Sequence, residues 1–328
     1  MDVYDITIIG GGPTGLFGAF YAGLRGLRTK IIDVLPEVGG QLTALYPEKY
    51  VYDVAGHPKI LAKDLAKNLG LQAALFKPAF CLGEKVSTLQ KSGDNWQIIT
   101  DVSSEHYSKS VLLALGAGAC VPKKLDIDYN HEWDAECIFY SVKNKERFRG
   151  KNVLIVGGGD SAVDWANEFS QLANKVTLIH RRDQFRAVQT SVEEMRHNKV
   201  DVKTFYELKS IEGTDKVTGV TIFDNRTGKE EQLQVDALII NIGFVINLDF
   251  LKSWGLKMDV NAITVNEKME TNLPGVYAAG DIAAHQAKLK LIATGAAEAA
   301  TGVNFACTYI NPTAKVFPGH SSNLNLSI

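Results

Sequence analysis

Lys151–Ala166 reads KNVLIVGGGDSAVDWA, and Tyr4–Phe20 reads YDITIIGGGPTGLFGAF. Both run from a short apolar, β-branched stretch directly into a glycine turn and then into a helix-like segment. In the first copy, Val3–Ile9 is the expected strand. It leads into Gly10-x-Gly12-x-x-Gly15, with Thr14 inside the turn, and then a helical stretch from Leu16 to Leu24. A second strand, Thr29–Ile32, ends at Asp33. This is the order that a dinucleotide-binding fold requires. Gly10 makes the tight turn, Gly12 lets the backbone approach a pyrophosphate, and Gly15 lets helix and strand pack closely. The helix N-terminus presents free N–H groups and a partial positive charge to the phosphates. Asp33 stands where a carboxylate accepts hydrogen bonds from a ribose diol.

The second copy repeats the plan. Val153–Val156 is the strand, Gly157-x-Gly159-x-x-Ala162 is the turn with Asp160 and Ser161 inside it, and Val176–Ile179 is the next strand. Gly10 to Asp33 is 23 positions, and Gly157 to His180 is also 23. His180-Arg181-Arg182 therefore holds the place of the acid. A carboxylate there would repel a 2′-phosphate, whereas guanidinium groups grip one bidentately. Arg186, four residues beyond Arg182, is placed to join them. The pattern predicts NADP(H) at the second site and an unphosphorylated ribose at the first.

Two further apolar runs stop at glycine: VLLALGAG at Val111–Gly118 and ALIINIGF at Ala237–Phe244. Read as the closing strands of the two nucleotide domains, they bracket the second fingerprint. The expected fold class is α/β, with two Rossmann-like domains, the NADP domain inserted into a discontinuous first domain. The expected boundaries are 1–116 and 246–328 for the first domain and 117–245 for the inserted one. The resumed part contains TNLPGVYAAGDIA at Thr271–Ala283, read as a strand over Val276–Ala279 with Asp281 at its end. An acid in that place can bind a polyol or ribose hydroxyl. A helix over roughly Leu289–Tyr309 is expected to follow.

Bulk properties narrow the classes. The 328 residues are 45% hydrophobic and 22% charged, with a formal net charge of −2, which gives no support to nucleic-acid binding. Ile6–Leu24 carries no charge and has roughly the length of a membrane span. Gly10-Gly11-Gly12-Pro13 interrupts it, so no span is expected. The opening MDVYD has no basic region, and no secretory leader is expected. Cys81, Cys120, Cys137 and Cys307 are scattered, with no C-x-x-C and no metal-ligand spacing. A reducing cytoplasm and no metal are the expectation.

The ordered set Gly10-x-Gly12-x-x-Gly15, GGQL at Gly39–Leu42, Gly157-x-Gly159-x-x-Ala162, HRR and GVYAAGD resembles the thioredoxin-reductase branch of two-dinucleotide flavoproteins. In that branch the first site holds FAD and the inserted domain holds NADPH. Thioredoxin reductases carry C-x-x-C shortly before the second fingerprint. Here Asp134–Gly159 reads DAECIFYSVKNKERFRGKNVLIVGGG, with Cys137 alone. One thiol cannot form the disulfide that takes two electrons from a flavin. Nor does GGQLTALYPEKY hold a cysteine, as the glutathione-reductase arrangement would require. Cys137 is expected in the core.

The chain closely resembles the ferredoxin–NADP⁺ reductases of the thioredoxin-reductase-like type. The matching segments are GGQLTALYPEKYVYDVAGHPKI, VLIVGGGDSAVDW, HRRDQFRA, METNLPGVYAAGDI and the tail AKVFPGHSSNLNLSI. The resemblance implies a homodimer in which the tail lies over the partner subunit's flavin. Tyr46 would stack on one face of the isoalloxazine, His320 on the other, and Ser321 beside it near N5. Asp33, Gln41, Tyr46, Val86, Cys120, Asp281 and Ser322 would contact FAD. The implied reaction passes a hydride from NADPH to FAD and then single electrons to ferredoxin, or runs in reverse. Flavodoxin or a quinone as partner, and a non-catalytic FAD/NADPH redox sensor, are the alternatives. The F-x-G-x-x-x-H signature of a flavin monooxygenase is absent.

Overall fold

A computed structural model of the chain describes residues 2–118, 121–245 and 248–320. The first elements are β1 (Val3–Ile9), α1 (Pro13–Leu24), β2 (Thr29–Asp33), α2 (Gln41–Ala44), β3 (Tyr50–Val51), β4 (Ile60–Leu61), α3 (Ala62–Ala74), β5 (Ala79–Leu82), β6 (Val86–Ser92), β7 (Asn95–Thr100) and β8 (Glu105–Leu113). Next come β9 (Val121–Pro122), β10 (Ile138–Phe139), β11 (Asn152–Gly157), α4 (Asp160–Phe169), β12 (Lys175–His180), α5 (Gln189–His197) and β13 (Val200–Thr204). They are followed by β14 (Tyr206–Gly213), β15 (Val217–Asp224), β16 (Glu230–Gln234), β17 (Ala237–Asn241) and β18 (Phe244–Val245). The last are α6 (Asp249–Ser253), β19 (Met258–Asp259), β20 (Ala262–Thr264), β21 (Val276–Ala278), β22 (Ala283–Ala284) and α7 (Ile292–Ile310). The chain divides into two units, Met1–Cys120 with Ile246–Ile328, and Val121–Val245.

In the first unit five parallel strands lie in the order β5-β2-β1-β8-β21. The strand order reverses between β1 and β8, which is where open α/β sheets form their ligand crevice. Strand β8 is shared. Its first half pairs antiparallel with β7 in a meander, and Val111–Leu113 pairs with β21. Side chains alternate along the strands as a sheet covered on both faces requires. Ile6, Ile8 and Leu112 pack under α1 and α7. Ile9, Val111 and Leu113 pack on the other face with Leu89, Trp96 and Trp254. Helix α1 buries only small residues and one leucine, namely Gly15, Leu16, Gly18, Ala19 and Ala22. A Cβ on Gly18 would lie 3.0 Å from Leu112 and 3.5 Å from Ala299 of α7, so these small residues set how closely the two helices approach the sheet.

The inserted unit repeats this layout. Its parallel sheet has the order β10-β17-β11-β12-β13, and an antiparallel β14-β15-β16 sheet fills the connection from β13 to β17. In the first unit the β6–β7 hairpin fills the same connection, from β5 to β8. Phe148 is fully buried between Phe139 and Phe169, with ring centroids 4.9 and 4.7 Å away.

Several strand ends move by a residue, and two helix starts differ from the sequence reading. Helix α1 begins at Pro13 rather than Leu16, because proline is well suited to the first helical position. Helix α7 begins at Ile292 rather than Leu289, because the Thr294 side chain accepts the Leu291 N–H at 3.3 Å and donates to the Leu289 carbonyl at 2.8 Å, which caps the helix there. Among the described residues no helix is long and apolar enough to cross a membrane. Phe148→Ala is expected to destabilise the inserted unit by about 3–5 kcal/mol, measured by urea unfolding.

Candidate dinucleotide-binding sites

The glycines of the first fingerprint divide the work as the turn requires. Gly10 has φ +112°, and a Cβ there would sit 2.2 Å from the carbonyl oxygen of Ala114 at the end of β8. A Cβ on Gly15 would sit 1.8 Å from the Gly10 carbonyl oxygen. Gly12 is different, since a Cβ there would meet only the Gly40 Cα, at 3.8 Å. Backbone crowds the first and third glycines and leaves a cradle open over the second. Gly12 is also the N-cap of α1 and supplies no side-chain acceptor, so the first N–H groups of the helix remain for a ligand.

Other segments close around this cradle. Asp33 is buried; one carboxylate oxygen accepts the Gly11 N–H and the other accepts the Leu35 N–H at 2.7 Å. Burial raises its pKa against those two bonds. The Gly39 N–H donates to the Gly11 carbonyl at 2.8 Å, which docks Gly39-Gly40 and Gln41, the first residue of α2, onto the turn. The Thr14 hydroxyl would lie 2.7 Å from a Cβ on Gly280 and 2.4 Å from one on Gly295, so Asp281 follows directly on the fingerprint helix. Tyr46 packs against Leu42, Ala62, Leu65 and Ala66. Burial, followed by the charges of Asp281 and Asp53, raises its phenol pKa, so it stays neutral. The first unit thus gathers Gly10, Gly12, Thr14, Gly15, Asp33, Gln41, Tyr46 and Asp281. This donor and acceptor set, with room over Gly12, fits a dinucleotide with a free ribose diol.

The remaining expected residues of this site stand apart. The Val86 side chain is in the core with Ile9 and Ile32, which leaves only its backbone for a ligand. Cys120, Ser321 and Ser322 lie outside the described residues. His320 is exposed and meets Phe317 edge-on at 5.3 Å. Arg25, the C-cap of α1, steers the chain toward it by donating to the carbonyls of Lys315 (2.6 Å) and Val316 (3.4 Å).

The second cradle has the same construction. Gly157 would place a Cβ 2.3 Å from the Asn241 carbonyl oxygen of β17, and Ala162 fills the position of the third glycine. Gly159 has nothing within 4 Å of a Cβ position and is an N-cap without a side-chain acceptor. Ser161 follows in the first turn of α4, and Asp160 accepts the Val188 N–H at 2.9 Å. The Arg186 N–H donates to the Gly158 carbonyl at 2.8 Å, which ties the arginine loop to the turn. The His180 ring covers Gly158 just as Asp33 covers Gly11; ring atoms lie 2.3–2.5 Å from a Cβ position on Gly158. His180 Nε2 lies 3.1 Å from the Gln184 carbonyl and donates to it. Burial lowers the His180 pKa; Arg181, Arg182 and Arg186 act in the same sense, against the bond to Gln184. A neutral imidazole therefore sits among three exposed guanidiniums, an arrangement that fits a phosphate.

Elsewhere, Cys81, Glu84 and His106 bring ligand-type atoms within 4.8 Å of one another. Lys30 Nζ lies 3.0 Å from His106 Nδ1, and Glu84 lies 3.2 Å from Nε2. An ammonium can only donate, so the ring proton is on Nε2 and neither nitrogen offers a lone pair to a cation. The described cysteines Cys81, Cys137 and Cys307 are all free thiols, and Cys137 packs against the core of the inserted unit. Sequence reasoning missed Glu298 and Lys288, which bond Gly280, and His285, which bonds Glu298; a glutamate within an alanine-rich helix was the available signal.

The pyridine nucleotide-disulphide oxidoreductase family model matches residues 4–299, and the chain belongs to that family. It is 49% identical over 324 residues to ferredoxin–NADP reductase 2 of Shouchella clausii, covering 98% of each chain. It is 48% identical over 325 residues to the ferredoxin–NADP reductase of Thermus thermophilus, covering 98% of this chain and 97% of the relative. Among solved structures, T. acidophilum thioredoxin reductase matches with a TM-score of 0.79 at 26% identity, covering 96% of this chain and 100% of that one. Lactococcus lactis thioredoxin reductase matches with a TM-score of 0.77 at 25% identity, covering 94% and 99%.

Two outcomes check these cradles. Gly12→Ala should leave the melting temperature of the flavin-free protein unchanged and abolish dinucleotide retention, whereas Gly15→Ala should lower stability by about 3 kcal/mol. For His180 the folded pKa lies below the ordinary 6.5. Its contribution to stability is complete above that value and is lost as pH falls through the lowered one. His180→Asn should flatten that part of the acid side of the pH–stability curve.

Proposed function

We propose that this chain is a ferredoxin–NADP⁺ reductase that holds FAD in the first unit and binds NADP(H) in the inserted one. One observation carries the reading: two glycine cradles of the same construction hold opposite chemistry at the same place, a carboxylate against Gly11 and an imidazole beside arginines against Gly158. The names of the full-length relatives support it, as does the single Cys137 where thioredoxin reductases carry C-x-x-C.

When bound, FAD supplies the ability to accept a hydride and return electrons one at a time. The chain's residues bind and orient. Gly12 and the N-terminus of α1 receive the pyrophosphate, Asp33 accepts the ribose hydroxyls, and Asp281 and Gln41 take further polar groups. Tyr46 offers a neutral aromatic face. Val86 offers its backbone to the same ligand, and Cys120 is a further contact by resemblance. In the inserted unit Gly157, Gly159, Asp160, Ser161 and Ala162 shape the pyrophosphate turn. Arg181, Arg182 and Arg186 neutralise the 2′-phosphate, and His180 holds the turn closed. The chain acts as a homodimer in the cytoplasm. By resemblance, His320, Ser321 and Ser322 of the tail would cover the partner subunit's flavin, His320 offering a flat ring and Ser321 a polar group.

The purified protein is expected to be yellow, to bleach with NADPH, and to reduce cytochrome c only when ferredoxin is supplied. A colourless protein, or one that reduces protein dithiols directly, overturns the reading. Arg181→Ala with Arg182→Ala should raise the KM for NADPH about 10–100-fold while leaving that for NADH unchanged. Deleting the chain from His320 onward should change the hydride-transfer rate seen by stopped flow.

A further inference from the structure

Glu298 is a buried carboxylate inside α7, whose neighbouring side chains are mostly small. A buried carboxylate is costly unless its oxygens are satisfied. Here each oxygen takes two donors. Oε2 accepts the Gly280 N–H at 2.8 Å and Lys288 Nζ at 2.6 Å. Oε1 accepts Lys288 Nζ at 2.7 Å and His285 Nε2 at 3.0 Å. None of these donors belongs to α7; all come from the turn that carries Asp281 and the loop after it. Lys288 Nζ also donates to the Gly280 carbonyl at 2.7 Å. The ion pair therefore holds the N–H and the C=O of one residue from opposite ends.

That residue is under constraint from the other side as well. Gly280 has φ +78°, a conformation that favours glycine, and the Thr14 hydroxyl of the fingerprint helix stands against it. The next residue is Asp281. With both polar groups of Gly280 bonded and its α-carbon against Thr14, the Asp281 backbone has one position relative to the first cradle.

We propose that Glu298 and Lys288 are positioning residues for the flavin site: they fix the Gly280–Asp281 turn so that the Asp281 carboxylate meets the hydroxyls of FAD. This inference rests on the reading of the first unit as an FAD site.

The test uses holoprotein purified with its flavin. Release of FAD on dilution is followed by the recovery of flavin fluorescence, because affinity changes in one site fall mostly on the off-rate. Glu298→Gln combined with Lys288→Met removes both buried charges together, which leaves neither unpaired. Its apoprotein should melt close to the wild type, its FAD release should be about tenfold faster, and the visible spectrum of the bound flavin should shift. NADP⁺ affinity, an inserted-unit property, should stay as in the wild type. Lys288→Ala, which removes the donor to the Gly280 carbonyl and leaves Glu298 with His285, should show the same faster release and carries the decision if the paired variant does not fold. Release accelerated threefold or more with unchanged NADP⁺ binding supports the proposal. Release accelerated less than threefold, or NADP⁺ binding weakened in parallel, overturns it. Wild-type protein without any flavin removes the reading of the site, and this inference with it.

Discussion

Both units depend on one close approach. The glycine that ends the first strand lies so near the carbonyl of the strand beyond the switch point that no Cβ fits: Gly10 against Ala114, Gly157 against Asn241. This contact lets the chain turn sharply and enter a helix whose leading N–H groups have no internal partner. A bulkier residue there would push the turn outward and fill the space the next glycine leaves open. Strand pairing, helix docking and the polar mouth of each cradle all follow from a contact that depends on the absence of a methyl group.

Once that geometry repeats, the two cradles differ in what rests on the middle glycine. Asp33 and His180 occupy matching places, at the ends of β2 and β12, and each lies directly on its glycine. The acid is held by two backbone donors that lower its pKa, against the larger rise that burial causes. The imidazole is held neutral by burial and by the arginines around it. The exchange alters charge at one corner of a scaffold that is otherwise unchanged, which is how one fold serves two nucleotides in one polypeptide.

The legible parts of the sequence were those whose physics is local. The β-branched runs before Gly10 and Gly157 fix strands, the glycine spacing fixes the turns, and the distance to Asp33 and His180 fixes the charge readout. Interactions between distant segments were not legible. Nothing in Glu105–Leu113 announces that its first half joins a meander while its second half pairs with Val276–Ala278. The start of α7 differs because helix-favouring composition extends to Leu289, while the Thr294 side chain bonds the backbone of Leu289 and Leu291 and caps the helix at that point. The sequence marks Val86 as a ligand contact without showing that its side chain faces the core, where the pairing of β6 with β7 points it, so that any such contact falls to its backbone.

Arg25 reaches the departing chain through the carbonyls of Lys315 and Val316 and touches the Cys307 sulfur on the way. Carbonyls are common to every amino acid, so this grip recognises a path and ignores identity. Side chains at those two positions can change without loosening the mooring. The tail is in effect a fitting on a fixed bracket, moored by backbone alone at Lys315 and Val316.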